Sequence, residues 1–193
     1  MPPKPKFTKD EIVSTASQIV AEGGQEALTA RELGRRLGSS ARPIFTLFRG
    51  MEELQAEVRT AAMRIFESSR PPLTADTPPF KQVGIQMVQF GKKEPKLFQL
   101  LFMQENDPPL AFDAFLRLLG PTAADCMTIL KEEHDLSDEQ AGALFENEWI
   151  YTFGLGALCA TSACTFSDEE LSRLLSFSFH ATLAHIKGGG SKR

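Results

Sequence analysis

The fold of this chain is decided by residues 28–54, LTARELGRRLGSSARPIFTLFRGMEEL. Thr29 and Glu32 have the spacing of a capping box, in which the threonine hydroxyl accepts a hydrogen bond from the N–H group three residues later. Two leucines four residues apart then predict the apolar stripe of a helix. Gly38 follows at the point where a helix end needs a residue with positive φ. The pattern predicts a short helix that begins after Thr29 and ends before Gly38.

A second short helix is predicted directly after this turn. Ser39 or Ser40 can cap it, and Pro43 falls within its first turn, where a missing N–H group costs little. Apolar residues at positions i, i+3 and i+4 predict its buried face: Ile44, Leu47 and Phe48. A capped helix, a tight turn that contains glycine and a second short helix together form the helix-turn-helix pattern.

This stretch resembles the DNA-binding head of the TetR family of transcriptional regulators. The resemblance is carried by Leu37-Gly38, Ile44-Phe45, Phe48, Glu52 and Leu54. It implies a DNA-binding domain over residues 1–50 and a ligand-binding and dimerisation domain over 51–187. It also implies a regulator, in the family's usual mode a repressor, whose hold on operator DNA changes when a small molecule binds. The final residues 188–193, GGGSKR, are predicted to form a flexible tail.

Three positions depart from the family pattern. Phe45 stands where the family usually has Tyr, Leu47 where His is frequent, and Met51 where Lys is frequent. Three polar partners for DNA phosphates are therefore absent. The alternative interpretation is a dimeric small-molecule-binding or protein-interaction module whose helix-turn-helix has lost sequence-specific DNA binding.

The remaining chain also has the pattern of helices. Capping pairs with the same spacing occur at Thr8 with Glu11, at Ser137 with Gln140 and at Ser167 with Glu170. Strand-like alternation of apolar and polar residues is absent, and so are internal repeats. The predicted fold class is all-α, with an N-terminal three-helix helix-turn-helix head and a C-terminal helical body.

Composition excludes several classes of protein. The net charge is −4, with +1 over residues 1–60 and −5 over the rest, so any contact with DNA must come from a local basic patch. Apolar runs fall short of the roughly 18 residues that cross a bilayer, so no membrane partner is expected. Three cysteines without metal-ligand spacing indicate a reduced, cytoplasmic protein. The three histidines are scattered, and neither an enzyme, a metal site nor a cofactor is expected.

Candidate residues follow for two partners, double-stranded operator DNA and a small apolar or amphipathic effector. Arg42 is the strongest candidate for reading a base, because a guanidinium can bond to guanine through two hydrogen bonds. The full predicted DNA-binding set is Thr29, Arg31, Ser39, Ser40, Arg42, Pro43, Thr46 and Arg49. The effector is expected among aromatic and amide side chains of the body: Gln86, Phe90, Phe98, Phe102, Met103, Phe115, Asn147, Trp149, Tyr151 and Phe153.

A homodimer is expected because the last two helices are apolar on more than one face and need a second partner. Glycine and alanine over residues 154–160 leave room for a close helix approach. The predicted dimer interface comprises Gly156, Ala160, Leu171, Leu174, Phe177 and Leu183. Aromatic residues at helical spacing are more often core than ligand site, so each effector candidate also has a purely structural interpretation.

Overall fold

The computed structural model describes residues 7–70, 78–117 and 121–189, and their regular structure is entirely helical. The helices are α1 Lys9–Gly23, α2 Ala30–Arg36, α3 Met51–Ser68, α4 Pro79–Lys93, α5 Pro95–Phe102, α6 Phe112–Arg117, α7 Pro121–His134, α8 Asp138–Ala160 and α9 Asp168–Gly189. Two 3₁₀ turns lie at Gln25–Ala27 and Ile44–Thr46. The predicted all-α class is confirmed.

Capping chemistry sets several helix starts where the spacing predicted them. Thr8 accepts a hydrogen bond from the N–H of Glu11 at 3.2 Å, and the Glu11 carboxylate accepts one from the N–H of Thr8 at 2.8 Å. Ser137 with Gln140 and the pair at the start of α9 make the same reciprocal bonds. Each pair satisfies two backbone N–H groups that a helix start leaves without partners.

The chain divides into two compact units, and the first comprises residues 1–69 and 93–104. Within it α3 and α5 pack against α1 and against each other. The buried stripe of α3 (Leu54, Val58, Ala62 and Phe66) explains why this helix belongs to the first unit. The Phe66 ring meets Phe102 of α5 edge to face at 5.4 Å. The unit therefore extends beyond residue 50, where the sequence placed a domain boundary.

The second unit comprises residues 70–92 and 105–193. In this unit α8 packs against α7 on one side and α9 on another. One buried cluster includes Leu130 and Leu144, and a second includes Val88 and Leu171. Helix α9 extends through Gly189, so residues 188 and 189, predicted to begin a tail, are helical. Residues 190–193 of that predicted tail lie outside the described residues.

The turn after α2 takes the predicted glycine form. Gly38 has φ +62°, its N–H donates to the Arg35 carbonyl, and the Ser39 N–H donates to the Gly34 carbonyl at 2.9 Å. These are the two bonds of a Schellman motif. A Cβ on Gly34 would lie 3.0 Å from the Ser39 carbonyl oxygen, so glycine is needed where the turn folds back onto α2.

The predicted second helix of the motif is wrong as an α-helix. Only the 3₁₀ turn Ile44–Thr46 forms, although Ile44 and Phe48 are buried as expected. The Schellman motif uses Ser39, so the helix cannot begin there. A residue before proline disfavours the α conformation, which removes Arg42 from a regular first turn. Pro43 itself has helical dihedral angles, but only the 3₁₀ turn Ile44–Thr46 follows it before α3 begins at Met51.

The described residues contain neither a membrane-spanning helix nor a group of metal-ligating side chains. None of their helices is both long enough and apolar enough to span a bilayer. Within the same ranges, no three or more His, Cys, Asp or Glu side chains gather as a metal site would require. Cys126 and Cys159 are free and buried, whereas Cys164 is free and exposed.

Candidate functional site

The predicted DNA-binding residues are concentrated on the surface of the first unit. Six of the eight are exposed: Thr29, Arg31, Ser40, Arg42, Thr46 and Arg49. Ser39 and Pro43 are half-buried within the turn. Thr29 caps α2 by accepting from the Glu32 N–H at 3.1 Å, and the Thr46 hydroxyl donates to the Pro43 carbonyl at 2.6 Å. Among the candidate side chains, Ser40 and Arg42 therefore keep their polar groups available for a base edge.

The arginines of this surface fall into two classes. Arg35 and Arg36 are paired, because the Glu32 carboxylate accepts from Arg35 at 2.7 Å and from Arg36 at 3.0 Å. Arg36 also bonds to Glu22 of α1, which ties α2 to that helix. By contrast, no ion pair to Arg31, Arg42 or Arg49 forms within residues 7–70, 78–117 and 121–189.

The paired carboxylates titrate as these contacts require. The hydrogen bond from Arg35, followed by that from Arg36, lowers the pKa of Glu32 to about 2. The Arg36 hydrogen bond likewise lowers the pKa of Glu22. Near neutral pH both carboxylates are charged and hold two of the five nearby guanidinium groups. The three that remain unpaired are those that can reach phosphate or a base.

A cavity of about 280 Å³ lies in the second unit. Its apolar wall comes from α9 and from the start of α4 with the residue before it: Pro78, Phe80, Gly84, Leu175 and Phe179. Its polar lining is contributed by four helices: Lys81, Glu133, His134, Glu148, Thr152, Ser176 and His180. A void of about 40 Å³ shares Phe80, Gly84, Glu148 and Thr152 with it. Small-molecule sites have this composition, with apolar walls and a few convergent polar groups.

Glu148 is the buried charge of this cavity, with 3% of its surface exposed. Its Oε1 atom accepts hydrogen bonds from the hydroxyls of Ser178 at 2.9 Å and Thr182 at 3.0 Å, both on α9. Burial raises the pKa of Glu148, and the two hydroxyl donors oppose that rise. Among the described residues no Lys, Arg or His forms an ion pair with this carboxylate.

Lys81 also lines the cavity and has other partners. Its ammonium group donates to the Ser172 and Ser176 hydroxyls, at 2.8 Å each. Both serines belong to α9, one turn apart, so Lys81 fastens α4 to α9. The cavity therefore contains a carboxylate and an ammonium group that are not paired with each other.

The predicted effector residues lie elsewhere. Phe98 and Phe102 are core residues of the first unit, with ring centroids 5.1 Å apart, and Met103 follows them on the surface. Their segment is apolar nearly all round because α1 and α3 cover it. Gln86 and Phe90 are buried in α4.

The other five candidates are distributed around α8. The Trp149 ring stacks on Phe153 at 5.2 Å and meets Phe115 edge to face at 5.1 Å. Tyr151 packs beside the cluster of Val88, and Asn147 is exposed, with its amide bonded to the Ala143 carbonyl. None of the ten lines the 280 Å³ cavity, although Trp149 lines the adjoining void. That they contact an effector stays a prediction.

Three of the six predicted interface residues are buried within their own chain. Gly156, Ala160 and Leu171 are inaccessible, and a Cβ on Gly91 of α4 would lie only 2.6 Å from the Gly156 carbonyl oxygen. The glycine of α8 thus serves a helix crossing inside the unit. Leu174 and Leu183 are half-buried, whereas Phe177 is 72% exposed. Ile150 and Leu158 add exposed apolar side chains on α8.

Sequence reasoning missed Glu148, although its position carried a signal. Buried residues of α8 recur at helical spacing: Ala141, Leu144, Glu148, Thr152, Leu155 and Cys159. A carboxylate on such a stripe is unusual, since charged groups are rarely buried without a partner. Neighbouring aromatics drew attention instead to positions 147, 149 and 151, none of which lines the 280 Å³ cavity.

The comparisons with known proteins agree on the fold. A structure from Vibrio parahaemolyticus, described as a transcriptional regulator of the TetR family, superposes with a TM-score of 0.60 at 22% identity, over 89% of this chain and 96% of that one. A second structure of that description, from Mesorhizobium loti, gives 0.58 at 22% identity, over 91% and 95%. The sequence matches no family model, and no curated protein matches it significantly. At this identity the likeness confirms the TetR-type fold, and function must be argued from the sites.

Proposed function

We propose that this protein is a cytoplasmic, ligand-responsive transcriptional regulator, a repressor, that binds operator DNA as a homodimer. The observation that carries the proposal is a TetR-type fold over about nine-tenths of the chain, combined with three arginines around the turn after α2 that form no ion pair with any described residue. Neither feature would suffice alone, because folds host several functions and surface arginines often only solvate a face.

The contacts of these arginines divide the proposed DNA surface by role. Arg42 follows the glycine turn and is proposed to read a base edge, with Ser39, Ser40, Pro43 and Thr46 beside it. Arg31 and Thr29 at the start of α2, and Arg49 before α3, are proposed to hold phosphates. The Arg49 N–H donates to Glu53 at 2.7 Å, so its backbone is fixed while its guanidinium stays free.

The proposed dimer uses the outer sides of α8 and α9. Ile150, Leu158 and Phe177 are large apolar side chains left exposed on these helices. A second copy would cover them, and twofold symmetry would present two turns to successive major grooves. Substitution of Phe177 by Asp is expected to shift the protein toward a monomer in analytical ultracentrifugation. A monomeric wild-type protein would remove this part of the proposal.

The proposed response to an effector is a population shift. A small molecule that occupies the cavity of the second unit would favour one arrangement of the body over another and so change the spacing of the two heads. The shift can only be as large as the difference in the effector's affinity for the two arrangements.

The second candidate function is a dimeric binder without DNA recognition. It is favoured by the 3₁₀ turn at Ile44–Thr46, which is shorter than a recognition helix, and by Phe45, which is 46% exposed without a phosphate-binding hydroxyl. The two candidates differ in whether the head has affinity for DNA, and one titration separates them.

The test is a fluorescence-anisotropy titration with DNA from upstream of the protein's own gene, at several salt concentrations. Binding is expected to weaken steeply with salt, because phosphate contacts release counterions. Arg42→Ala should cost about 1–3 kcal/mol and relax sequence preference, whereas Arg49→Ala should weaken all sequences alike. Arg173→Ala, an exposed arginine of α9, is the matched control. No binding even at low salt would favour the second candidate.

A further inference from the structure

The cavity of the second unit has a buried carboxylate in its mainly apolar lining. Glu148 is almost fully buried, and its Oε1 atom already accepts two hydroxyl hydrogen bonds. Its Oε2 atom has no hydrogen-bond partner within the described ranges. A carboxylate oxygen without a protein partner at the wall of a cavity can accept a hydrogen bond from a donor inside that cavity.

The groups around Glu148 do not supply that donor. Lys81 is engaged with two serine hydroxyls of α9, and neither His134 nor His180 forms an ion pair with the carboxylate. Glu133, also in the lining, adds a second acidic group. The described residues therefore leave the carboxylate without a counter-charge beside an open space.

The walls next to this carboxylate are aromatic. The rings of Phe80 and Phe179 are in tilted contact, with centroids 5.6 Å apart, and the His134 imidazole lies 5.2 Å from Phe179. Aromatic faces attract cations, and an apolar chamber of about 280 Å³ accommodates a small hydrocarbon body. A carboxylate and aromatic rings in one chamber recognise the same kind of group.

We infer that the effector is an amphipathic organic cation, a protonated amine on an apolar body. Its ammonium group donates a hydrogen bond to Oε2 of Glu148, and its body packs against the cavity wall that Phe80, Phe179 and Leu175 form. The inference rests on the proposed role of this cavity as the effector site, and it specifies which chemical class that site selects. Glu148 is the specificity-determining residue.

The test compares three probes of one shape: 4-phenylbutylamine, the neutral 4-phenylbutan-1-ol and the anionic 4-phenylbutyrate. Calorimetry measures affinity, and fluorescence of Trp149, the chain's single tryptophan, reports binding beside Glu148 because it lines the adjoining void. The amine is expected to bind about 10- to 100-fold more tightly than the alcohol, as a charge-assisted hydrogen bond requires. The anion is expected to bind most weakly.

Substitutions then test whether the ammonium group of the amine binds at Glu148. Glu148→Gln keeps an oxygen for Ser178 and Thr182 but removes the charge, and it should weaken the amine about 10- to 100-fold while leaving the alcohol unchanged. Glu146→Gln, an exposed acid two residues away, should change neither. Lys81→Met, which removes the nearby like charge, should strengthen amine binding. The wild-type comparison of amine with alcohol decides the matter even if a variant fails to fold.

Equal affinity for amine and alcohol, tighter binding of the anion, an amine affinity that Glu148→Gln does not alter, or no binding at all would each overturn the inference. Other outcomes would contradict the regulatory proposal without contradicting the cation site, or the reverse. Amine that binds in the cavity without changing the affinity for DNA would uphold the cation site and remove the effector coupling. Intact DNA binding with no amine binding would remove the cation site alone.

Discussion

The two compact units differ in how many polar side chains they bury. Among the described residues of the first unit, Ser17 is the one buried polar side chain, and the charged groups pair on the surface. The second unit buries Gln82, Gln86, Glu148 and Thr152. Buried polar groups weaken a core unless they are fully satisfied. The second unit therefore buries more polar side chains, and two of them, Glu148 and Thr152, line its cavity.

The largest expected effect tests the sealed core of the first unit. Phe98 is fully buried, and its replacement by Ala should lower the free energy of unfolding by about 3–5 kcal/mol, through lost burial and the cavity left behind. Phe45→Ala, which truncates an exposed ring, should change it by no more than about 0.5 kcal/mol. Urea denaturation followed by circular dichroism measures both. A loss below about 1 kcal/mol for Phe98→Ala would mean that this core is not tightly packed.

The next effect concerns the helix crossing of the second unit. Gly91→Ala places a Cβ 2.6 Å from a backbone oxygen that cannot easily move, and overpacking of this kind costs about 1–3 kcal/mol. Gly142→Ala, whose Cβ would meet only the Met127 side chain at 3.9 Å, should instead stabilise α8 by about 0.5–1 kcal/mol. Thermal denaturation distinguishes the two. Shifts of the same sign would contradict a crossing held at backbone contact.

A smaller effect is the pH dependence of the free energy of unfolding, which differs in sign between the two units. Burial raises the pKa of Glu148, so the folded state holds its proton up to a higher pH than the unfolded state does. The contribution of Glu148 to stability therefore falls as pH rises through its folded-state pKa. Glu148→Gln should be more stable than wild type at pH 8, and the difference should shrink toward pH 5. Denaturation of both proteins across this range measures the difference in their free energies of unfolding. A constant difference would show that Glu148 is not strained by burial.

The smallest effect is the pH dependence of stability in the first unit, where the contribution of a carboxylate is lost as pH falls. The pKa of Glu32 is lowered to about 2, so its ion pairs with Arg35 and Arg36 stabilise the fold above the unfolded-state pKa, near 4, and are lost as pH falls toward 2. Glu32→Gln should melt slightly below wild type at pH 6, and the gap should close by pH 2. Salt should reduce the gap at pH 6, since the pair is exposed. Indifference to both salt and pH would mean that these pairs contribute nothing.

Local chemistry made much of the fold predictable. Capping pairs such as Thr8 with Glu11 act within four residues, so their spacing determines a helix start without knowledge of the tertiary structure. Gly38 was predictable for the same reason, because positive φ after a helix favours one residue type. The second element of the motif was not, since the combined effect of the Schellman turn and Pro43 depends on where α2 ends.

The site in the second unit was less accessible to sequence reasoning. Glu148 lies between predicted effector residues, and only its place on the buried stripe of α8 distinguishes it from Glu146. Gly156 and Leu171 looked like an interface because small and apolar residues suit contact with any helix. Which helix covers them depends on long-range packing, here against α4 and within the cluster of Val88.

The crossing at Gly91 and Gly156 also gives α4 the geometry of a lever. The cavity-lining residues of α4, Phe80, Lys81 and Gly84, all precede this crossing along the helix. Phe80 lies 11 positions from Gly91, about 16 Å along the axis, so a swing of about 10° about the crossing would displace its backbone by about 3 Å. Because two glycines meet at this crossing, a small rotation of α4 there would change the width of the cavity by about the size of one methyl group.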